Sequence, residues 1–133
     1  MSARIVRIKT FTDERGSLTV GEFPETLPFE PVRFFVVGSV PNDQPRGNHA
    51  HKTNHQLLFC LSGSLTLEVF DGTDWSSFKL TPNGEGVYLP PLNWGIQKDF
   101  EPNSKLLVLA SEPYSAEEYI NSLEEFESYT SKN

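Results

Sequence analysis

Eight short runs rich in β-branched, aromatic and aliphatic residues, at 5–9, 18–21, 32–40, 56–62, 65–70, 75–80, 86–89 and 105–111, succeed one another along a chain of 133 residues. Brief apolar runs separated by turn residues read as strands, and so many in sequence point to a barrel or a sandwich. The punctuation agrees: Ser62-Gly63-Ser64, Asp71-Gly72 and Asn83-Gly84 offer residues that tolerate the positive φ of tight turns, so antiparallel hairpins are the simplest connection. One segment reads as a helix. Ser115 is placed to cap it, Glu118 completes a capping box, and Tyr119, Ile120, Leu123 and Phe126 recur along one face, with the polar residues after Phe126 expected to fray. A chain of this length fits one domain spanning residues 1–133, and its ten phenylalanines supply material for a packed core.

The formal charge of −7 argues against general affinity for nucleic acid or an anionic membrane, both of which need a basic surface. Six acidic residues fall between Glu112 and Glu127, and the stretch 33–52 is left mildly basic, with Asp43 its only acid, so a small anionic ligand can bind there. The single cysteine, Cys60, lies in an apolar run and reads as a buried hydrophobe. No stretch approaches the roughly 18 apolar residues of a membrane span, and the expected location is cytoplasmic.

All three histidines fall within seven residues, in Arg46-Gly47-Asn48-His49-Ala50-His51-Lys52-Thr53-Asn54-His55-Gln56. In extended backbone a two-residue period puts His49 and His51 on one face, able to address one ligand, with Ala50 on the other. The odd spacing from His51 to His55 turns His55 away, which suits a structural or partner-facing role. A pair of histidines followed by an acidic residue, a short apolar strand and a glycine resembles the first motif of the cupin superfamily. Here Gln56 stands in place of the glutamate and Gly63 falls at the glycine. The second motif is recognisable in the segment 84–95, with Gly95 where a histidine is expected. A divalent cation needs three or four protein ligands, so a set incomplete at both Gln56 and Gly95 argues against a metal. Two metal-free imidazoles are suited to proton transfer near neutral pH. The plainer alternative is a pair of polar residues lining a barrel and satisfied by their neighbours.

The resemblance sharpens beyond the superfamily. The string from Arg46 to Lys52, then Gln56, Cys60-Leu61-Ser62-Gly63-Ser64 and Asp71-Gly72, is similar to the dTDP-4-keto-6-deoxyglucose 3,4-ketoisomerases, the WxcM-like group. Asp13-Glu14-Arg15-Gly16-Ser17-Leu18, Val32-Arg33-Phe34-Phe35, Pro90-Pro91 and Trp94 also resemble segments of that family, so the likeness covers nearly the whole chain. It implies an all-β cupin jelly-roll barrel with a short C-terminal helix, and a homodimer with exchanged N-terminal strands. It also implies an isomerase that acts on a dTDP-linked keto-sugar without metal or redox cofactor. Phe35 stands where the family's well-known members carry a tyrosine.

On that reading a neutral imidazole removes the C3 proton made acidic by the C4 ketone, and a second histidine serves the oxygen-side transfer. His49 is assigned the carbon acid/base role and His51 the oxygen side. Arg15, Arg33 and Arg46 are expected to include contacts to the diphosphate. Phe35, Trp94 or Tyr88 is expected to stack on the base, and Lys52 and Gln56 complete the candidate substrate contacts. Three alternatives stay open: a nucleotide-sugar epimerase, a noncatalytic sugar-nucleotide binding module and, weakest, a metal-dependent oxygenase.

Overall fold

Burial alternates residue by residue along Leu65–Phe70, with Leu65, Leu67 and Val69 inside and Thr66, Glu68 and Phe70 half-buried. That period is the mark of a strand with one face on a core. The computed structural model describes residues 1–41 and 44–131, so Asp43 of the basic stretch lies outside the described residues. It contains β1 (Arg4–Arg7), β2 (Lys9–Asp13), β3 (Gly16–Val20), β4 (Arg33–Gly38), β5 (Arg46–His51) and β6 (Gln56–Ser62). There follow β7 (Leu65–Phe70), β8 (Trp75–Leu80), β9 (Glu85–Leu89), β10 (Trp94–Lys98), β11 (Lys105–Ala110), β12 (Tyr119–Ile120) and α1 (Leu123–Thr130).

Two five-stranded antiparallel sheets face each other, ordered β1-β9-β6-β11-β4 and β12-β5-β10-β7-β8, and β2 pairs with β3 as a separate hairpin. This is the expected all-β barrel. Its interior is one apolar cluster drawn from both sheets, including Val37, Leu58, Leu65, Leu67, Val69, Val87, Leu89, Leu106 and Val108. Cys60 belongs to it, and burial pushes its thiol up, away from nucleophilic use. The turn at Gly63 needs glycine twice over: φ is +74° and a Cβ would lie 2.2 Å from Ser104 Oγ.

The outer face of the second sheet is closed by the chain itself. Ala50, Trp94, Ile120 and Phe126 form a small buried cluster that seats α1. The helix starts later than its sequence pattern suggests. The pattern Ser-x-x-Glu occurs both at 115–118 and at 122–125, and it is Ser122 that caps, accepting from the Glu125 N–H at 3.1 Å. Ser115 makes no side-chain cap; residues Ala116–Glu118 form one 3₁₀ turn, and Tyr119–Ile120 pair with His51 and Ala50 as β12. The first pattern fails as a capping box because the Glu118 carboxylate is held elsewhere. Residues beyond Phe126 stay helical to Thr130 instead of fraying. Among the described residues no helix is long and apolar enough to cross a membrane.

Candidate active site

Strand β5 carries a bulge that decides what its inner face presents. Gly95 of β10 pairs with His49 while Ile96 pairs with Gly47, so Asn48 is an extra residue. Gly47 and Asn48 both take positive φ, a conformation glycine and asparagine adopt readily. The Asn48 side chain is turned outward, where its Oδ1 accepts from Trp94 Nε1 at 3.1 Å. Beyond the bulge the two-residue period is regular and His49 and His51 share the inner face. Their rings meet edge to face with centroids 5.0 Å apart. The bulge also restores Arg46, which pairs with Gln97 two positions beyond Gly95, to the same side of the sheet as His49.

A carboxylate and a phenol complete the cluster, both from the segment first read as helix. His51 Nδ1 lies 2.6 Å from Glu118 Oε1, while Glu118 Oε2 accepts from the backbone N–H groups of Thr53 and Asn54 at 3.1 and 2.9 Å. Tyr119, directly opposite His51 in the β5–β12 pair, sets its ring 4.5 Å from that of His51 and 4.8 Å from that of His49. Asn54, fully buried, fastens the same loop by accepting from Ser111 N–H and Glu112 N–H, each at 3.1 Å.

Burial sets the protonation states. Loss of water, reinforced by the neighbouring His51, lowers His49 to about 4 despite the opposing pull of Glu118. His49 is therefore neutral at pH 7 and free to accept a proton. Burial also lowers His51, against the raising effect of Glu118. Burial would raise Glu118, but the hydrogen bonds from His51, Asn54 and Thr53 outweigh it and keep the carboxyl below its ordinary value. The Nε2 of His51 has no hydrogen-bond partner among the described residues.

On the facing sheet, Arg33, Ala110, Gln56 and Leu89 are lateral partners in one row across β4, β11, β6 and β9. Leu89 of that row belongs to the interior cluster, so Gln56 and Arg33 share the inner face. Gln56 is buried, and Arg33 lies near enough for its charge to lower His51. The Arg33 guanidinium lies 5.5 Å from the Phe35 ring and 5.8 Å from that of Tyr114. The structure thus gathers His49, His51, Arg33, Phe35 and Gln56, with Arg46 further along the inner side of β5.

Four other residues singled out from the sequence lie apart from this group. Arg15 is at the tip of the β2–β3 hairpin, paired with Asp13 at 2.7 Å. Lys52 donates to the Glu117 carbonyl at 2.8 Å and sits over Tyr129, on the helix side of β5. Trp94, only 2% exposed, is enclosed against Phe126 on the outward parity of β10, leaving no ring face for a base. Tyr88 is likewise occupied, stacked on His55 and bonded to its Nδ1 at 2.7 Å.

The residues do not suit a cupin-type metal. Gln56 offers a neutral amide, and Gly95 faces inward opposite His49, where even a Cβ would meet Leu89 at 3.2 Å. Among the described residues no three His, Cys, Asp or Glu side chains are grouped to hold an ion.

Fold and site together define a cupin barrel whose inner strand carries a pair of inward-facing, half-buried to buried histidines. The chain belongs to the WxcM-like family: the family model described as FdtA, WxcM-like, C-terminal, matches residues 1–131. It is 33% identical over 132 residues to the TDP-4-oxo-6-deoxy-alpha-D-glucose-3,4-oxoisomerase of Aneurinibacillus thermoaerophilus, covering 99% of this chain and 95% of that one. A 3,4-ketoisomerase from Helicobacter canadensis superposes with a TM-score of 0.94 at 34% identity, over 98% of each chain. A mutant of the 3,4-ketoisomerase QdtA from Thermoanaerobacterium thermosaccharolyticum, solved in complex with TDP-4-keto-6-deoxyglucose, gives 0.95 at 31% identity, over 99% of this chain and 96% of that one.

Proposed function

We propose that this chain is an isomerase that moves the carbonyl of a TDP-linked 4-keto-6-deoxyhexose from C4 to C3, by proton transfer between His49, His51 and the sugar, with no metal. The observation that carries the reading is the inward-facing imidazole pair, 5.0 Å apart, on a chain whose family relatives bear that activity. His49, neutral at pH 7, takes the C3 proton and later returns it at C4, while His51 serves the two oxygens. The intermediate enediolate is anionic, and the Arg33 guanidinium supports it from the facing sheet. Arg46, Phe35 and Gln56 complete the sugar-nucleotide contacts in this reading.

The reading includes a homodimer. The outer face of the first sheet leaves Phe34 68% and Val36 50% exposed, and the hairpin leaves Phe11 59% and Leu18 62% exposed, large apolar side chains of the kind that a partner surface covers. A second copy receiving the hairpin would cover these residues and bring Arg15 to its partner's site. Sedimentation of the purified protein tests this, and a monomer at micromolar concentration sinks it.

The activity is tested by proton NMR of TDP-4-keto-6-deoxyglucose in D₂O with chelator-treated protein and its His49→Asn and His51→Asn variants. Deuterium incorporation with a 3-keto product, lost in both variants, supports the assignment. Exchange that leaves the ketone at C4 would make it an epimerase, and binding without exchange a noncatalytic module.

A further inference from the structure

Resting on that reading, we infer that Glu118 is a positioning residue: its carboxylate holds His51 in the Nδ1–H tautomer and leaves Nε2 as the atom that carries the proton between the two sugar oxygens. The geometry allows little else. Glu118 Oε1 lies 2.6 Å from Nδ1, and Oε2 is already engaged as acceptor by two backbone N–H groups. An ionised carboxylate can only accept, so the ring nitrogen facing it must donate. The proton is then absent from Nε2, the buried nitrogen with no partner among the described residues. Tyr119 against the ring and β12 pairing with β5 fix the imidazole plane.

The consequence for the reaction is balanced in atoms and electrons. His49 removes the C3 proton, and the electron pair forms the C3–C4 double bond while O4 becomes an oxyanion. The hydroxyl proton on O3 passes to His51 Nε2, giving an imidazolium that the Glu118 charge stabilises. That proton is delivered to O4, the C3 carbonyl forms, and His49 returns its proton to C4. No oxidant or reductant enters.

Replacing Glu118 by glutamine should invert this arrangement. The single amide carbonyl will remain on the Thr53 and Asn54 N–H groups, turning the NH₂ toward Nδ1. The ring nitrogen there must then accept, the ring proton moves to Nε2, and the acceptor for the O3 proton is lost.

The test is ¹⁵N NMR of the imidazoles between pH 6 and 8 in the resting protein, simple because the chain has three histidines and His51→Asn assigns the signal. The wild type is expected to show a pyrrole-type Nδ1 and a pyridine-type Nε2 for His51, and E118Q the reverse. E118Q should also lose about 10²-fold or more in kcat while TDP binding changes less than threefold and solvent deuterium still enters C3 through His49. A pyrrole-type Nε2 in the wild type, or E118Q with wild-type kcat, overturns the inference. Should E118Q fail to fold, the wild-type spectrum decides. The tautomer is read without substrate, so a chain that turns over no TDP-sugar would defeat the ketoisomerase reading and leave this spectrum to judge Glu118 separately.

Discussion

The two sheets of the barrel contain five strands each and contribute to the same interior, yet they treat their outer faces differently. The sheet bearing the histidines is covered by the chain's own α1, with Phe126 fully buried between Phe70 and Trp94. The other sheet leaves Phe34 and Val36 in solvent at its β4 edge. The paired histidines thus stand on a strand packed on both faces, where their geometry is over-determined, and the apolar surface left bare is on the sheet that supplies the barrel's opposite wall. What a strand can hold rigidly depends on what covers its back.

The largest effect should come from the inner face of the covered sheet. His49→Asn is expected to lower kcat by about 10²–10⁴-fold with the fold retained, read by NMR of product formation alongside circular dichroism. Next, Phe126→Ala opens the covered outer face and should cost about 3–5 kcal/mol, measured by urea denaturation, with a loss of activity as β12 detaches from β5. An equal loss from Phe34→Ser in dilute protein would break the contrast between the sheets.

Acid should distinguish the same regions. His49 is lowered to about 4 from 6.5, so between those values the unfolded chain binds a proton that the folded chain does not. Stability must therefore fall as pH drops from about 6.5 to 4, by on the order of 3 kcal/mol. His51 acts in the same direction, and Glu118 adds to the fall only below its ordinary value of 4.5. Thermal melts across this range should steepen for the wild type and flatten in His49→Asn; an unchanged slope in the variant would remove His49 as the cause. The smallest effect is expected on the bare sheet. Phe34→Ser should change the stability of the dilute chain by less than about 0.5 kcal/mol while shifting sedimentation toward the monomer.

The sequence made the interior-facing strands legible because their apolar alternation is strong, as in Leu65, Leu67 and Val69. Strand β10 escaped notice because its apolar residues, Trp94 and Ile96, face the helix, while Gly95 and Gln97 hold the inward positions. His49 and His51 were visible by spacing. Glu118 and Tyr119 were not, since a serine three residues before the glutamate is a valid helix start, and only the tertiary competition for that carboxylate by His51, Thr53 and Asn54 diverts it. The sole local sign was the second Ser-x-x-Glu at 122–125, which made the first dispensable as a cap. Arg46 reached the inner face only through a bulge that a strict two-residue period cannot anticipate.

The fastening of residues 51–55 to residues 111–118 also fixes an order of events during synthesis. A ribosome delivers the chain from its N terminus, so both barrel sheets can begin to pair while the carboxylate and phenol that finish the histidine pair are still inside the exit tunnel. Until Glu118 emerges, His51 Nδ1 and the Thr53 and Asn54 N–H groups have only water as partner. The histidine cluster is therefore completed only after strands β1 to β11 have been synthesised, in the same late step that delivers α1 to the outer face of its sheet.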